Sequence, residues 1–276
     1  MGSETLSQDS LRAAVRAAGI EVPPHYHERI PSTSTEAVAL AESGAPGWTV
    51  VAAGHQTEGR GRLGRRWVEA PGKALLMSVL LRPSIAPEDA PLLSLLAATA
   101  MADACRELAG ASVACKWPND LVVGERKVGG ILAESRVEDG AVAHVVIGVG
   151  VNVGMQAEDF PEDLRRTATS LAVEGQIVHP ALLVRGYLER LAVGLLPEAP
   201  GFASQVLEPY RERCVSLRRS VRATTTAGAE VEGLAVDLDE RGGLVIEAED
   251  GRHVVAFGEI AHLDVGADGL GPREEA

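Results

Sequence analysis

The segment with the clearest chemical potential covers residues 55–67 and reads HQTEGRGRLGRRW. Four arginines and three glycines lie close together in it: Arg60, Arg62, Arg65, Arg66, Gly59, Gly61 and Gly64. Guanidinium groups offer paired donors to carboxylate or phosphate, and glycine lets the backbone come close to a ligand. The pattern indicates an anion-binding loop, although it matches neither the P-loop nor the dinucleotide-binding pattern. The alternative is a solvated basic loop or a nucleic-acid-binding tail.

A second segment joins a proline turn to a strand that begins with lysine. Residues 116–121 read KWPNDL, so Lys116 and Trp117 precede a turn that carries Asn119 and Asp120. The following strand holds Lys127, Gly129, Gly130 and Ile131. Glycines inside a strand often mark the place where a ligand approaches the backbone, and lysine adds a point charge. A plain turn between strands explains Pro-Asn-Asp equally well, and both interpretations stay open.

A third segment, residues 147–153, has glycines two positions apart in a predicted strand. Gly148, Gly150 and Asn152 therefore share one face of that strand. A barrel corner or tight packing of a helix on the sheet would also explain the glycines. Together, the three segments supply the small and cationic groups that a flat ligand bearing phosphate requires.

Helices and strands must position these segments, and the periodicity of apolar residues predicts where those elements lie. The predicted helices cover residues 10–19, 36–42, 87–108, 180–196 and 201–214. Strands are predicted at 48–53 and 74–82, then at VACKW, DLVV, KVGGILAESRV and AVAHVVIGVGVNV within residues 113–153. Because the connections between these last strands are short, their neighbours should be antiparallel.

The domain organisation follows from a change of pattern at residue 215, where short alternating segments begin. We expect an N-terminal extension with one helix (1–30), an α+β domain with a mixed, mostly antiparallel sheet flanked by helices (31–214), a small C-terminal β-barrel (215–266) and a flexible tail (267–276).

Composition limits the possible functions. The 276 residues include 26 Lys and Arg against 39 Asp and Glu, a formal net charge of −13, which disfavours a general nucleic-acid binder. Three cysteines without paired spacing fit a reducing compartment and indicate neither a disulfide framework nor a zinc site. No apolar run is long enough to span a membrane, and residues 1–10 lack a signal-peptide pattern. We therefore expect a cytoplasmic protein.

Taken in order, the motifs resemble those of biotin protein ligases. They are Gln56-Thr57-x-Gly59-Arg60-Gly61-Arg62-x-Gly64-Arg65, Lys116-Trp117-Pro118-Asn119-Asp120, Lys127-x-Gly129-Gly130-Ile131-Leu132-x-Glu134 and Gly148-x-Gly150-x-Asn152. The resemblance extends from about residue 30 to about residue 265. It implies a fold similar to the catalytic domain of class II synthetases and biotin–lipoyl ligases, followed by a small barrel.

The resemblance also implies a two-step reaction. Biotin, ATP and Mg²⁺ give biotinyl-5′-AMP and pyrophosphate, and a lysine of a biotin carboxyl carrier protein then takes the biotin. Arg60, Arg62, Lys127 and Lys116 would be the catalytic cations. The ligand-binding residues it implies are Ser32, Thr33, Ser34, Gln56, Gly59, Arg60, Gly61, Arg62, Trp67, Lys116, Asn119, Lys127, Gly129, Gly130, Ile131, Gly148, Gly150 and Asn152. No metal ligands are assigned, no membrane or nucleic acid is expected, and the protein should be a monomer or homodimer.

Two residues depart from the family pattern. Ser34 stands where Asn is usual, and Glu58 stands where a small residue is usual. Glu58 could pair with Arg60 or face solvent, and solvent is the expected outcome. Because only about thirty residues precede the Ser/Thr cluster, we expect a monofunctional member without the N-terminal DNA-binding domain of bifunctional members.

Three alternatives remain open. The first is a lipoate ligase or octanoyltransferase, which the Gly-Arg-Gly-Arg and Lys-Trp-Pro-Asn-Asp motifs disfavour. The second is a non-catalytic biotin or adenylate sensor, which the retained Lys127 and arginines disfavour. The third is a nucleic-acid binder that uses the arginine segment.

Overall fold

The computed structural model describes residues 5–196, 201–225, 228–256, 258–265 and 272–273. The helices in these ranges are α1 Gln8–Ala17, α2 Thr33–Glu42, α3 Leu92–Ala109, α4 Pro180–Gly194 and α5 Phe202–Arg213. The strands are β1 His25–His27, β2 Thr49–Ala53, β3 Ala74–Leu81, β4 Ala114–Lys116, β5 Asp120–Val123, β6 Arg126–Glu138, β7 Ala141–Asn152, β8 Ser220–Thr225, β9 Glu230–Leu238, β10 Leu244–Ala248, β11 Gly251–Val255, β12 Gly258–His262, β13 Asp264–Val265 and β14 Pro272–Arg273. The predicted tail lies outside the described residues, apart from β14.

Seven strands form one sheet in the order β1-β2-β3-β7-β6-β5-β4. β1 is parallel to β2, and the other neighbouring pairs are antiparallel. The tight turns that join β4 to β7 reverse the chain each time, which is why these neighbours are antiparallel. The mostly antiparallel central sheet is therefore confirmed. In the described part of the chain, no helix is both long and apolar enough to cross a membrane.

The two faces of this sheet carry different helices. One face packs in the main apolar core with α3, which is buried along most of its length. The other face packs on α2, where Ala37 and Ala41 contact Leu80 and Val146. Since side chains alternate along a strand, the α2 face of β3 holds Leu76, Ser78 and Leu80. Their partners across the strand pair on β7 are Gly150, Gly148 and Val146.

α3 begins later than its sequence predicts. Residues Pro87–Asp89 form a separate 3₁₀ turn, and Pro91 is the N-cap of the helix that starts at Leu92. Its C-terminus follows the expected rule, since Gly110 takes a left-handed conformation with a φ of 69°.

The C-terminal strands form an open sheet rather than the predicted barrel. Their order is β11-β10-β9-β8-β12, so β11 and β12 are the two edges, and among the described residues no pairing joins them. The alternating pattern correctly predicts strands in this region. Closure depends on strand tilt and stagger, which alternation along a strand does not specify.

Trp117 connects this sheet to the central one. Its side chain is 1% exposed, and its indole Nε1–H donates to the carbonyl oxygen of Gly242 at 2.9 Å. Its backbone N–H donates to the Ser216 hydroxyl at 3.0 Å, and Val215 N–H donates to the Cys115 carbonyl at 2.9 Å. The turn that follows Trp117 is therefore fixed partly by residues of the C-terminal region.

We expect Trp117→Phe to lower the free energy of unfolding by about 1–3 kcal/mol, because the buried Gly242 carbonyl loses its donor. Urea denaturation measures this change. Tyr187→Phe is the matched control: the Tyr187 hydroxyl is buried and has no hydrogen-bond partner within the described residues, so its removal should be neutral or stabilising. Equal losses in the two variants would contradict the role given to the indole hydrogen bond.

Candidate active site

A cleft of about 220 Å³ opens on the α2 face of the central sheet, and we call it the active cleft. It brings together most of the residues that the motifs single out. These are Thr33, Ser34, Gln56, Arg60, Gly61, Arg62, Trp67, Lys116, Asn119, Lys127, Gly130, Ile131, Gly148 and Gly150. Ile260, from the C-terminal sheet, also lines it. Four other predicted residues are not among those that line it: Ser32, Gly59, Gly129 and Asn152.

The glycines of β7 form a floor that other side chains approach closely. A Cβ atom on Gly148 would lie 2.6 Å from the Ser34 hydroxyl, and one on Gly150 would lie 2.7 Å from Trp67 Cε2. Gly129 is similarly restricted, because its Cβ would lie 2.8 Å from the Gly150 carbonyl oxygen. Glycine at these positions therefore lets α2 and the Trp67 ring approach the sheet.

Buried hydroxyls and one amide form the polar end of the active cleft. Gln56 Oε1 accepts from the Thr33 backbone N–H at 2.7 Å and from its hydroxyl at 3.1 Å. Ser78 is 2.8 Å from the Thr33 hydroxyl and 3.1 Å from that of Ser34. Ser32 is the N-cap of α2 and accepts from the Thr35 N–H. The motifs did not include Ser78, which is an isolated polar residue in an apolar strand.

Glu69, which the motifs also did not include, holds Gln56 in place. Its side chain is 2% exposed, and one oxygen accepts from the Gln56 backbone N–H at 3.1 Å and contacts His55 Nδ1 at 2.8 Å. The Gln56 amide is thus fixed from both its backbone and its side chain.

Residues 59–67 form a small hairpin, the arginine hairpin, over the active cleft. Gly61 N–H donates to the Arg65 carbonyl at 2.8 Å, and Trp67 N–H donates to the Gly59 carbonyl at 2.9 Å. Leu63, at the tip, has a positive φ of 54° and is 61% exposed. The predicted loop is thus an ordered turn between β2 and β3.

Two arginines tie the arginine hairpin to the sheet. Arg60 makes two hydrogen bonds to the Glu134 carboxylate, at 2.6 and 3.0 Å. Arg62 donates to Asn119 Oδ1 at 3.2 Å. Glu58 is exposed, as expected, and the acidic partner of Arg60 is Glu134.

The cationic end of the active cleft centres on Lys127. Its ammonium group lies 2.6 Å from Asp120 Oδ1 and 6.0 Å from the centre of the Trp67 ring. Asn119 is held by Ile131, whose N–H donates to the Asn119 carbonyl at 2.9 Å. The Asn119 amide in turn donates to the Ile131 carbonyl at 2.7 Å. This pairing fixes the turn that carries Asp120.

Asn152 has an incomplete set of hydrogen bonds. Its amide nitrogen donates to the Thr169 carbonyl at 2.9 Å, while its buried Oδ1 has no hydrogen-bond partner in the described part of the chain. A buried acceptor in this state suits a donor from a ligand.

The possible metal ligands are few. Across the ranges that the structure describes, no three His, Cys, Asp or Glu side chains gather in a metal-binding group. Asp120 is the carboxylate in the lining of the active cleft.

His262 of β12 lies behind the Trp117 turn, where it contacts Glu125, Arg219 and Ser216. Arg219 Nη1 is 2.7 Å from His262 Nδ1, and the Ser216 hydroxyl is 3.2 Å from Nε2. Glu125 Oε2 lies 3.1 Å from Nδ1. Burial lowers the pKa of His262 from its ordinary 6.5, and the Lys116 and Arg219 cations lower it further against the opposing effect of Glu125. His262 is neutral at pH 7.

Comparisons with known proteins agree with this geometry. The family described as "Biotin/lipoate A/B protein ligase family" matches residues 26–152, and "Biotin protein ligase C terminal domain" matches residues 219–263. The bifunctional ligase/repressor BirA of Bacillus subtilis is 34% identical over 255 residues, covering 89% of this chain and 76% of that protein. The biotin–[acetyl-CoA-carboxylase] ligase of Mycobacterium tuberculosis is 34% identical over 237 residues, with coverages of 84% and 86%.

A solved structure shows the same fold. The biotin protein ligase from Aquifex aeolicus in complex with biotin and ATP matches with a TM-score of 0.72 and 26% identity, covering 87% of this chain and 97% of that one. The chain belongs to the biotin protein ligase family, a group of ATP-dependent ligases. The family assignment and the α+β architecture that the motifs predict are both confirmed.

The neutral state of His262 predicts a pH dependence. Below pH 6.5 the unfolded chain binds a proton that the folded chain does not, so stability should fall with decreasing pH until the lowered pKa is reached. One proton contributes at most about 1.4 kcal/mol per pH unit. Urea denaturation between pH 5 and 7 measures the slope, which should be smaller in His262→Gln, whose amide can still donate to Ser216. His25→Gln, at an exposed position, is the control. An unchanged slope in His262→Gln would contradict the assignment.

Proposed function

We propose that this protein couples biotin to ATP and transfers the biotin to a carrier protein. In the first step a biotin carboxylate oxygen attacks the α-phosphorus of ATP, giving biotinyl-5′-AMP and releasing pyrophosphate. In the second, the ε-amine of a lysine on a biotin carboxyl carrier protein attacks the acyl carbon, AMP leaves, and the amine loses a proton. The observation that carries the proposal is one cleft that joins a buried hydroxyl and amide end to a cationic end across a glycine floor.

The polar end suits the ureido ring of biotin. Thr33, Ser34 and Gln56 offer hydroxyl and amide groups that donate and accept, and Ser32 caps the helix that carries Thr33 and Ser34. Gln56 Oε1 is already bonded to Thr33, so its amide nitrogen is the group that can donate to the ring carbonyl. Ser34, with one hydroxyl in place of an amide, offers fewer hydrogen bonds there.

The cationic end suits the reacting groups. A carboxylate and a phosphate charge repel by about 4 kcal/mol at 4 Å with an effective dielectric near 20. Lys127, Arg62 and Lys116 line the active cleft and can offset this repulsion and the charge that develops at the α-phosphate. The Trp67 ring and the glycines Gly148 and Gly150 leave a flat space for the chain and ring systems of the ligand.

The remaining ligand contacts concern the nucleotide and its Mg²⁺. The unpaired Asn152 Oδ1 suits the exocyclic amine of adenine. Mg²⁺ usually binds one or two protein carboxylates together with substrate phosphates, which Asp120 beside Lys127 fits. The bound ion would neutralise phosphate charge.

The arginine hairpin would cover the intermediate. An acyl-adenylate hydrolyses when water reaches it, so a cover over the reacting groups preserves it until the acceptor lysine arrives. The same contacts argue against a nucleic-acid interface, because Arg60 is bonded to Glu134 and Arg62 to Asn119. Free, buried Cys105, Cys115 and Cys214 fit the proposed cytoplasmic location. Whether the protein is a monomer or a homodimer stays a prediction.

Mass spectrometry tests the proposed function directly. The full chain is incubated with biotin, ATP, Mg²⁺ and a biotin carboxyl carrier domain, and the carrier should gain one biotin on a single lysine. Lipoate in place of biotin is the control for the lipoate-ligase alternative, and omission of ATP is the control for passive adduct formation. A folded enzyme that leaves the carrier unmodified would overturn the proposal.

Substitutions of Lys127 and of Arg62 should impair different steps of the reaction. Lys127→Ala removes a charge at the reacting centre and should slow adenylate formation by about 100-fold. Arg62→Ala should still form adenylate but release it into solution about tenfold faster than wild type, because one tie of the arginine hairpin is lost. Rapid-quench and filter-binding assays with radiolabelled ATP separate the two effects. Arg136→Ala, at an exposed arginine of β6, is the control, and equal retention by Arg62→Ala and wild type would disprove the covering role.

A further inference from the structure

The segment 167–169 pairs with the backbone of Lys127 at the start of β6. Thr169 N–H donates to the Lys127 carbonyl oxygen at 2.8 Å, and Lys127 N–H donates to the Thr167 carbonyl oxygen at 2.8 Å. Both backbone groups of Lys127 are therefore bonded to one short segment. Because the ammonium group of Lys127 lies in the active cleft, a shift of this segment would move a charge at the reacting groups.

Thr169 also sets the orientation of the Asn152 side chain. Its carbonyl oxygen accepts from the Asn152 amide nitrogen at 2.9 Å. Since a carbonyl cannot donate, the opposite orientation of the amide would place two oxygens against each other. Asn152 Oδ1 therefore points away from Thr169, and it is buried with no hydrogen-bond partner among the described residues. Asn152 shares a face of β7 with Gly148 and Gly150, which line the active cleft.

An acceptor in this place distinguishes one class of purine from another. The 6-amino group of adenine donates a hydrogen bond, whereas the 6-oxo group of hypoxanthine or guanine only accepts. A 6-oxo purine would leave the buried Asn152 Oδ1 without a donor, and an unsatisfied buried acceptor is costly. The orientation that Thr169 gives to Asn152 therefore favours ATP over nucleotides with a 6-oxo base.

A largely buried carboxylate holds Thr169 in turn. The Thr169 hydroxyl donates to Glu174 Oε1 at 2.5 Å, and Arg126 Nη2 donates to the same oxygen at 2.7 Å. Thr169 is fully buried, and the Glu174 side chain is 18% exposed. Arg126 directly precedes Lys127 in β6, so the carboxylate joins Thr169 to that strand a second time. As far as the structure describes the lining of the active cleft, it includes neither Thr169 nor Glu174.

We propose that Glu174 and Thr169 are positioning residues that set the orientation of Asn152 and the place of Lys127 together. Glu174 holds the Thr169 side chain, and the backbone of Thr169 is bonded to both of the other residues. A change at Glu174 or Thr169 then affects the nucleotide base and the reacting charge at once. The inference deepens the proposed function and rests on it for the place of the adenine.

The choice between ATP and ITP tests the inference, since the base of ITP carries a 6-oxo group. In biotin-dependent exchange of radiolabelled pyrophosphate, wild type should prefer ATP by about 100-fold or more in kcat/KM. Thr169→Val removes the hydroxyl and keeps the branched shape, and Glu174→Ala removes its acceptor. Each variant should lower the preference about tenfold and raise the KM for ATP. Thr169→Ser keeps the hydroxyl and should stay within about twofold of wild type.

Thr49→Val is the matched control, because the Thr49 hydroxyl is also buried and donates to the Pro46 carbonyl oxygen at 2.8 Å. Loss of folded protein alone lowers kcat equally with both nucleotides, so it leaves their ratio and each KM unchanged. The inference is overturned if wild type uses the two nucleotides equally well. It is also overturned if Thr169→Val and Glu174→Ala keep the full preference for ATP.

Binding without turnover separates this inference from the proposed function. Equilibrium dialysis uses labelled α,β-methylene-ATP, whose α–β bridge cannot be cleaved, with Mg²⁺, biotin and ITP as the competitor. In wild type, ITP should compete about 100-fold less well than the unlabelled analogue, and in the Thr169→Val and Glu174→Ala variants only about tenfold less well. If wild type shows no exchange while these binding results hold, the proposed function fails and the positioning role stands. Normal exchange with an unchanged preference in both variants has the opposite meaning.

Discussion

The proposed reaction depends on overcoming the repulsion between a carboxylate and a triphosphate in one cleft. The chain carries a net charge of −13, so its surface as a whole would repel both groups. A local excess of cations would offset this repulsion, since Lys116, Lys127 and Arg62 all line the cleft. Such a cluster would repel itself without partners, and the contacts of Lys127 with Asp120 and of Arg62 with Asn119 hold it in place.

This requirement explains the floor and the cover of the active cleft. Gly148 and Gly150 leave room for the Ser34 hydroxyl and the Trp67 ring against the sheet, which brings the polar end and the cationic end within one small volume. The arginine hairpin covers that volume, and Trp117 fixes the adjoining turn through bonds to Ser216 and Gly242. The C-terminal sheet thus contributes to the site by holding a turn, besides placing Ile260 in the lining.

The sequence predicted the parts of the site whose chemistry is local. Arginines among glycines, and glycines two apart in a strand, form patterns within a few residues, so the sequence alone singles out the arginine hairpin and the glycine floor that line the cleft. Ser78 and Glu69 were missed, and Glu134 was quoted in a motif without a role, because their partners lie far away in sequence, as the 44 positions between Ser34 and Ser78 illustrate. The barrel closure predicted for the C-terminal region is not seen among the described residues, since alternation specifies strands and not the stagger between them. The short strand β1 was also missed, because three residues are too few to show a period.

The central claim is that biotin and ATP react in this cleft before any carrier is present. Exchange of radiolabelled pyrophosphate into ATP measures that step alone, since it requires only the reversible formation of the adenylate. With Mg²⁺ and the full chain, exchange should appear when biotin is added and stay at background without it or with lipoate in its place. Exchange that does not depend on biotin, or its absence from a folded protein supplied with biotin, would contradict the account.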